Sequence, residues 1–141
     1  MSFNSLKLRI KKNEGYSRTP YRDQLGFYTI GYGHLIKNNE NFYFKTKYNK
    51  SYFDELFNQD FEHALKDYKK NIYKKKHTKK DQDLLIEMTF QLGCEGVLKF
   101  KKMLYHINKK EKNMACFEMM KSLWYKQTPK RVENLIINYT R

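Results

Sequence analysis

The chain has 141 residues, of which 40% are apolar and 16% aromatic, with only 6 Gly and 2 Pro. That composition fits one domain of ordinary size with a genuine core, and it excludes collagen-like and wholly disordered chains. Lys and Arg number 29 against 15 acids, a net charge of +14, so the surface attracts polyanions over roughly a Debye length. Charge alone does not choose among DNA, RNA, an anionic membrane and the acidic wall of bacteria.

No apolar run approaches the roughly 18 to 20 residues that span a bilayer, and the polar opening MSFNSLKLRIKKNEG lacks the apolar centre of a signal peptide. Stable membrane insertion is therefore not expected, and a cytosolic site of synthesis is. Cys94 and Cys116 are too few for a disulfide framework and form no C-x-x-C pair; both are expected as buried thiols.

In chain order, Phe3, Leu6 and Ile10 fall at helical spacing after polar Ser2, predicting a short helix that ends before Gly15 and leaves Glu14 at its exit. From Tyr21 to Leu35 the text YRDQLGFYTIGYGHL mixes aromatic and β-branched residues with Gly26, Gly31 and Gly33, which predicts a small antiparallel sheet. A polar stretch over 37–50 follows. Ser51 and Asp54 then resemble a capping box before a long helix whose apolar face runs Phe53, Leu56, Phe57, Phe61, Ala64, Leu65, Tyr68 and Ile72.

After the lysine run KKKHTKK, Thr78 or Asp81 is placed to cap a helix carrying Leu84, Leu85, Met88 and Leu92 toward Gly93. Three further amphipathic sets follow: Val97, Phe100, Met103, Leu104 and Ile107; Cys116, Phe117, Met120, Leu123 and Trp124; Val132, Leu135, Ile136 and Tyr139. Thr128 and Pro129 form the start signal of the last, as N-cap and first helical residue. The pattern is α+β: a small N-terminal lobe with a short antiparallel sheet, one long connecting helix, and a mainly helical C-terminal lobe.

Hydrolysis of a glycosidic bond needs one carboxylic acid to protonate the leaving oxygen and usually a second carboxylate across the bond. Glu14 and Asp23 are candidates, one closing a helix and the other near the start of the sheet. Spacing alone leaves open the ordinary alternative, two solvated acids or surface ion pairs worth under about 1 kcal/mol.

The text NEGYSRTPYRDQLGFYTIGYGHL keeps the order E, eight residues, D, five residues, T, and it resembles the lysozymes of T-even bacteriophages, glycoside hydrolase family 24, muramidases that cut peptidoglycan. LFNQD at 56–60, TFQLGCEGV at 89–97 and SLWYKQTPKR at 122–131 resemble further blocks of that family in the same order, so the resemblance covers nearly the whole chain. It implies a single lysozyme-like α+β domain, with lobes of about 13–50 and of 1–12 plus 73–141 joined by a helix of about 51–72. It also implies that Glu14 is the general acid, Asp23 the second carboxylate, and Thr29 the hydroxyl that helps hold the attacking water. Inversion at the anomeric carbon would follow.

Thr29 also has a plain reading as a β-branched strand residue. Donation of a proton by Glu14 near neutral pH requires a raised pKa, which burial supplies. Arg131 matches the family's Q-T-P-x-R arginine, expected to approach the catalytic acid and organise the site. His34 and Asp60 fall where the family pairs a histidine after the sheet with an aspartate on the long helix, a structural role. Leu35, Phe90 and Gln91 match substrate-facing positions, with core packing as the alternative for Leu35 and Phe90. Met103 and Glu118 replace polar sugar-contacting side chains, and loop lengths differ between the sheet and the long helix.

The implied partner is anionic bacterial peptidoglycan, acted on by a monomer that accumulates in the bacterial cytoplasm and passes through a separate membrane pore. No cofactor is expected, and His34, His63, His77 and His106 share no H-x-x-x-H or H-E-x-x-H spacing for a metal. A catalytically weakened wall-binding or assembly module on the same scaffold is the alternative. A nucleic-acid-binding protein, suggested by the lysine runs and the 12 Tyr and 10 Phe, lacks any RNP, KH, zinc-finger or helix-turn-helix text.

Overall fold

The computed structural model describes residues 3–42 and 48–141. Their elements are α1 (Asn4–Glu14), β1 (Ser17–Arg22), β2 (Tyr28–Gly31), β3 (His34–Leu35), α2 (Lys50–Asn71), α3 (Lys79–Leu98), α4 (Lys101–Asn108), α5 (Lys112–Met120), α6 (Leu123–Gln127) and α7 (Pro129–Thr140). This is the α+β class expected, mostly helix with one short sheet. Contacts divide the chain into two compact units between His63 and Ala64, a point inside α2.

In the first unit the strands run in the order β1-β2-β3, antiparallel throughout, with Tyr21 opposite Thr29 and Thr29 opposite Leu35. β1 begins at Ser17, earlier than the expected Tyr21. Pro20 masks the start, and the strand accommodates it because the register slips between Ser17 and Tyr21. Leu6 and Ile10 of α1, Ile30 of β2, and Phe53, Phe57 and Phe61 of α2 are buried together as this unit's apolar core. Each such side chain contributes roughly 1.5–3 kcal/mol by leaving water. Gly31, at φ +67, lets the sheet approach α2: a Cβ there would sit 2.6 Å from the Phe53 ring.

Phe3 occupies the N-cap of α1 without a side-chain bond, and Ser2 lies outside the described residues, as does 43–47 of the polar stretch. One start signal of this unit, that of α2, differs from expectation. α2 is opened by Asn49, whose Oδ1 accepts from the Tyr52 N–H at 3.0 Å. Asp54 instead takes Lys50 at 2.9 Å and Lys11 at 3.2 Å, so two lysine cations compete successfully for the carboxylate that was expected to cap.

In the second unit Thr78 caps α3 in a true capping box, accepting from the Asp81 N–H at 3.1 Å while Asp81 accepts from the Thr78 N–H at 2.9 Å. Gly93, at φ 78, breaks α3 internally, and helix resumes beyond it. Phe100 does not continue a helical face; it is the N-cap of α4, and its ring meets Trp124 edge-on at 5.7 Å. Thr128 precedes Pro129 as expected but does not cap α7, because its hydroxyl donates back to the Trp124 carbonyl at 3.1 Å.

α5 is turned differently from the expected face. Ala115, Cys116 and Met119 point inward, whereas Phe117 and Met120 are exposed, as is Leu123 at the start of α6. Cys94 is half-buried rather than buried, and Cys116 is buried as expected.

Candidate active site

Glu14 is the last residue of α1, and Gly15 closes the helix at φ 77 with its N–H on the Lys11 carbonyl at 3.1 Å. That turn delivers the half-buried Glu14 carboxyl to the β2–β3 turn. There it packs against the backbone of Gly33, where an added Cβ would lie 2.7 Å from Glu14 Cδ and 2.9 Å from Cγ. Gly33 also sits at φ +74, so a side chain is refused on both steric and conformational grounds.

Asp23 follows β1 directly and is half-buried. Its Oδ1 accepts from the Leu25 and Phe27 N–H groups, both at 2.9 Å, while its own N–H donates to the Phe27 carbonyl at 2.9 Å. This fixes the side chain by folding the turn around one oxygen. Oδ2 makes no hydrogen bond among the described residues. Thr29, buried on β2, donates its hydroxyl to the Phe27 carbonyl at 2.9 Å. The hydroxyl oxygen retains acceptor capacity. Tyr21, Thr29 and Leu35 are laterally aligned across the three strands on one face.

Tyr21 joins the two acids electrostatically. Burial first, then the negative charges of Glu14 and Asp23, hold its phenol above the ordinary value of 10.0. Both carboxylates therefore act on one phenol, which places them in a common neighbourhood around the end of β1. Leu35 is 51% exposed, so simple core packing does not describe it.

On the opposite face of the sheet His34 is 6% exposed and lies between two carboxylates. Nδ1 meets Asp60 at 2.8 Å and Nε2 meets both oxygens of Glu40 at 3.0 Å. Burial alone would lower the His34 pKa, but Asp60 and then Glu40 outweigh it and raise it. Glu40 is opposed in the same way: burial would raise its pKa, and the Lys37 N–H together with His34 lowers it. The His34–Asp60 pair was legible by resemblance. Glu40 was missed, since an acid in the polar run NNENF carries no periodic signal.

In the second unit, Arg131 donates its Nε to Glu87 Oε2 at 3.3 Å, with Glu87 completely buried. Glu87 was also missed, though the run LLIEM did offer one clue, an acid flanked on both sides by residues of a buried helical face. Phe90 and Gln91 are half-buried on α3, and Gln91 Oε1 is an enclosed acceptor without a hydrogen-bond partner. Among the described residues no group of three or more His, Cys, Asp or Glu is arranged to hold a metal.

A sequence model of phage lysozymes matches residues 11–138. Two curated proteins of Dictyostelium discoideum are similar over 94% of this chain and 92% of their own length: a probable T4-type lysozyme 2 at 31% identity and a probable T4-type lysozyme 1 at 32%.

Proposed function

Because the chain belongs to the phage lysozyme family, we propose that it is a muramidase, hydrolysing the β-1,4 bond between N-acetylmuramic acid and N-acetylglucosamine in peptidoglycan. The observation that carries the reading is the pair of acids acting on Tyr21, with Glu14 seated against Gly33 and Asp23 anchored through Oδ1 alone. In this scheme Glu14 passes its proton to the glycosidic oxygen as the C1–O bond breaks. Water adds to C1 from the other face, steered by Asp23 Oδ2 and the Thr29 hydroxyl, and Asp23 accepts its proton. The net reaction adds one water across the bond with inversion. The proton taken by Asp23 is returned to Glu14 through solvent before the next turnover.

Asp23 suits the role of orienting water because its turn N–H groups fix the carboxylate without neutralising it. Leu35, Phe90 and Gln91, each at least partly exposed, are proposed to contact the glycan. Release of reducing ends from purified peptidoglycan by the wild type, and its loss in Glu14→Gln, is the test.

One observation favours a weaker, wall-binding version of the same scaffold. Met103 is fully buried and Glu118 is tied to Lys121 at 2.9 Å, so neither offers a free polar group to sugar. A muramidase with reduced glycan affinity still yields reducing ends at high substrate; a pure binding module yields none.

A further inference from the structure

The outward face of α5 and the start of α6 bear large apolar residues that no other described residue buries. Met114, Phe117, Met120 and Leu123 follow one another at steps of three and are 44%, 57%, 47% and 66% exposed. Steps of three on α5 keep Met114, Phe117 and Met120 on adjoining turns of one face, and Leu123, the first residue of α6, is exposed just beyond them. This row does not belong to the unit's core, which α5 meets with Ala115, Cys116 and Met119. An exposed strip of this kind marks a surface that apolar matter covers.

The margin of the strip is cationic. Residues 109–127 hold five lysines against two glutamates. Glu111 meets His106 at 3.0 Å and Glu118 meets Lys121 at 2.9 Å, while Lys110 is drawn to Asp81 at 3.7 Å, so the excess positive charge of this stretch rests on Lys109, Lys126 and Lys112, the last with its Nζ on the Tyr139 carbonyl. A second copy of this chain is a poor occupant, because face-to-face contact would bring two cationic margins together on molecules of charge +14 each. A specific protein partner is also disfavoured by the composition of the row, which contains neither the Trp, Tyr and Arg typical of binding hot spots nor any side chain able to fix an orientation by hydrogen bonding. A fluid apolar phase with an anionic surface satisfies both the strip and its margin.

We propose that the α5 strip docks this protein peripherally on an anionic lipid bilayer, with Met114, Phe117, Met120 and Leu123 entering the headgroup boundary and the surrounding lysines held to the lipid phosphates. The contact is superficial, since no helix among the described residues is long and apolar enough to cross a membrane. It does not rest on the glycosidase reading, and it concerns no residue assigned to that chemistry.

The test is sedimentation of the full chain with vesicles of phosphatidylglycerol mixed with phosphatidylcholine, and with vesicles of phosphatidylcholine alone. Wild type is expected to bind the anionic vesicles, to bind the neutral ones at least about tenfold more weakly, and to lose binding as salt rises. The variant Phe117→Ser/Met120→Ser/Leu123→Ser is expected to lose about tenfold or more in affinity for anionic vesicles, given the transfer free energy of three large side chains. Release of reducing ends from lipid-free peptidoglycan is expected to be unchanged. Phe117→Leu/Leu123→Ile, which keeps the apolar strip, should bind as wild type and guards against a folding defect in the serine variant.

Equal binding by the serine variant and wild type overturns the proposal, as does equal binding to neutral and anionic vesicles. A concentration-dependent dimer that only the serine variant loses also overturns it, in favour of a second copy. Failure of peptidoglycan hydrolysis with vesicle binding intact contradicts the glycosidase reading alone.

Discussion

Asp23 in the first unit and Glu87 in the second are both acids held in place by their surroundings, but the holding groups differ. Backbone N–H groups of Leu25 and Phe27 fix the half-buried Asp23 through Oδ1, and among the described residues no cation forms an ion pair with it. Glu87 is completely enclosed, and a guanidinium meets it at 3.3 Å. The first arrangement is the one the proposed mechanism needs, an acid positioned for use on something else; the second consolidates a core. The difference teaches that the partner of a carboxylate, more than its burial, separates a reactive acid from a structural one.

The comparison breaks most visibly through loss of activity. Glu14→Gln and Asp23→Asn are expected to lower reducing-end release by about 10²- to 10⁴-fold each while leaving thermal unfolding near wild type. A variant that loses stability instead would move these acids into the same class as Glu87. Next in size is Glu87→Ala, which removes the fully buried carboxylate that Arg131 Nε meets and should cost about 3–5 kcal/mol in urea unfolding. Glu87→Gln keeps an acceptor for Arg131 and should cost less. Equal stability of all three proteins would show that the pair does not consolidate the unit.

Gly33→Ala sharpens the assignment of Glu14. The positive φ alone costs roughly 1–3 kcal/mol, and the new methyl group must displace the Glu14 carboxyl. A misplacement of about 1 Å at a reacting group can cost about 100-fold, so activity should fall further than stability. Crystals of the variant with Glu14 unmoved would remove Gly33 from the site.

The smallest effect concerns His34 and its two acids. With its pKa raised, His34 contributes stability fully below its ordinary value of 6.5 and loses it as pH rises through the elevated folded value. Glu40, with its pKa lowered, contributes above its ordinary 4.5 and loses that contribution as pH falls through the depressed folded value. Wild type should therefore be stabilised relative to His34→Gln most between about pH 4.5 and 6.5. Midpoints that differ by the same amount at pH 5.5 and pH 9 would contradict the clasp.

Long apolar faces made the helices legible, because eight residues from Phe53 to Ile72 repeat on one side of α2 and leave no rival period. α5 was harder for the same physical reason in reverse. Its apolar residues cover both sides, so a set through Cys116, Phe117 and Met120 fits the period as well as Ala115, Cys116 and Met119, and only tertiary packing decides between them. Pro20 hid the first residues of β1, where a register slip makes room for it. At the site, the order of Glu14, Asp23 and Thr29 was legible through resemblance. Glu40 and the Glu87–Arg131 pair were not, since their contacts depend on a loop closing over the sheet and on helices 44 positions apart.

The most direct test is mass spectrometry of peptidoglycan digested by wild type and by Glu14→Gln at equal protein concentration. Reducing N-acetylmuramic acid ends that accumulate with wild type and vanish with the variant are the predicted result. Ends on N-acetylglucosamine, cleavage within the peptides, or an undiminished yield from Glu14→Gln would contradict it.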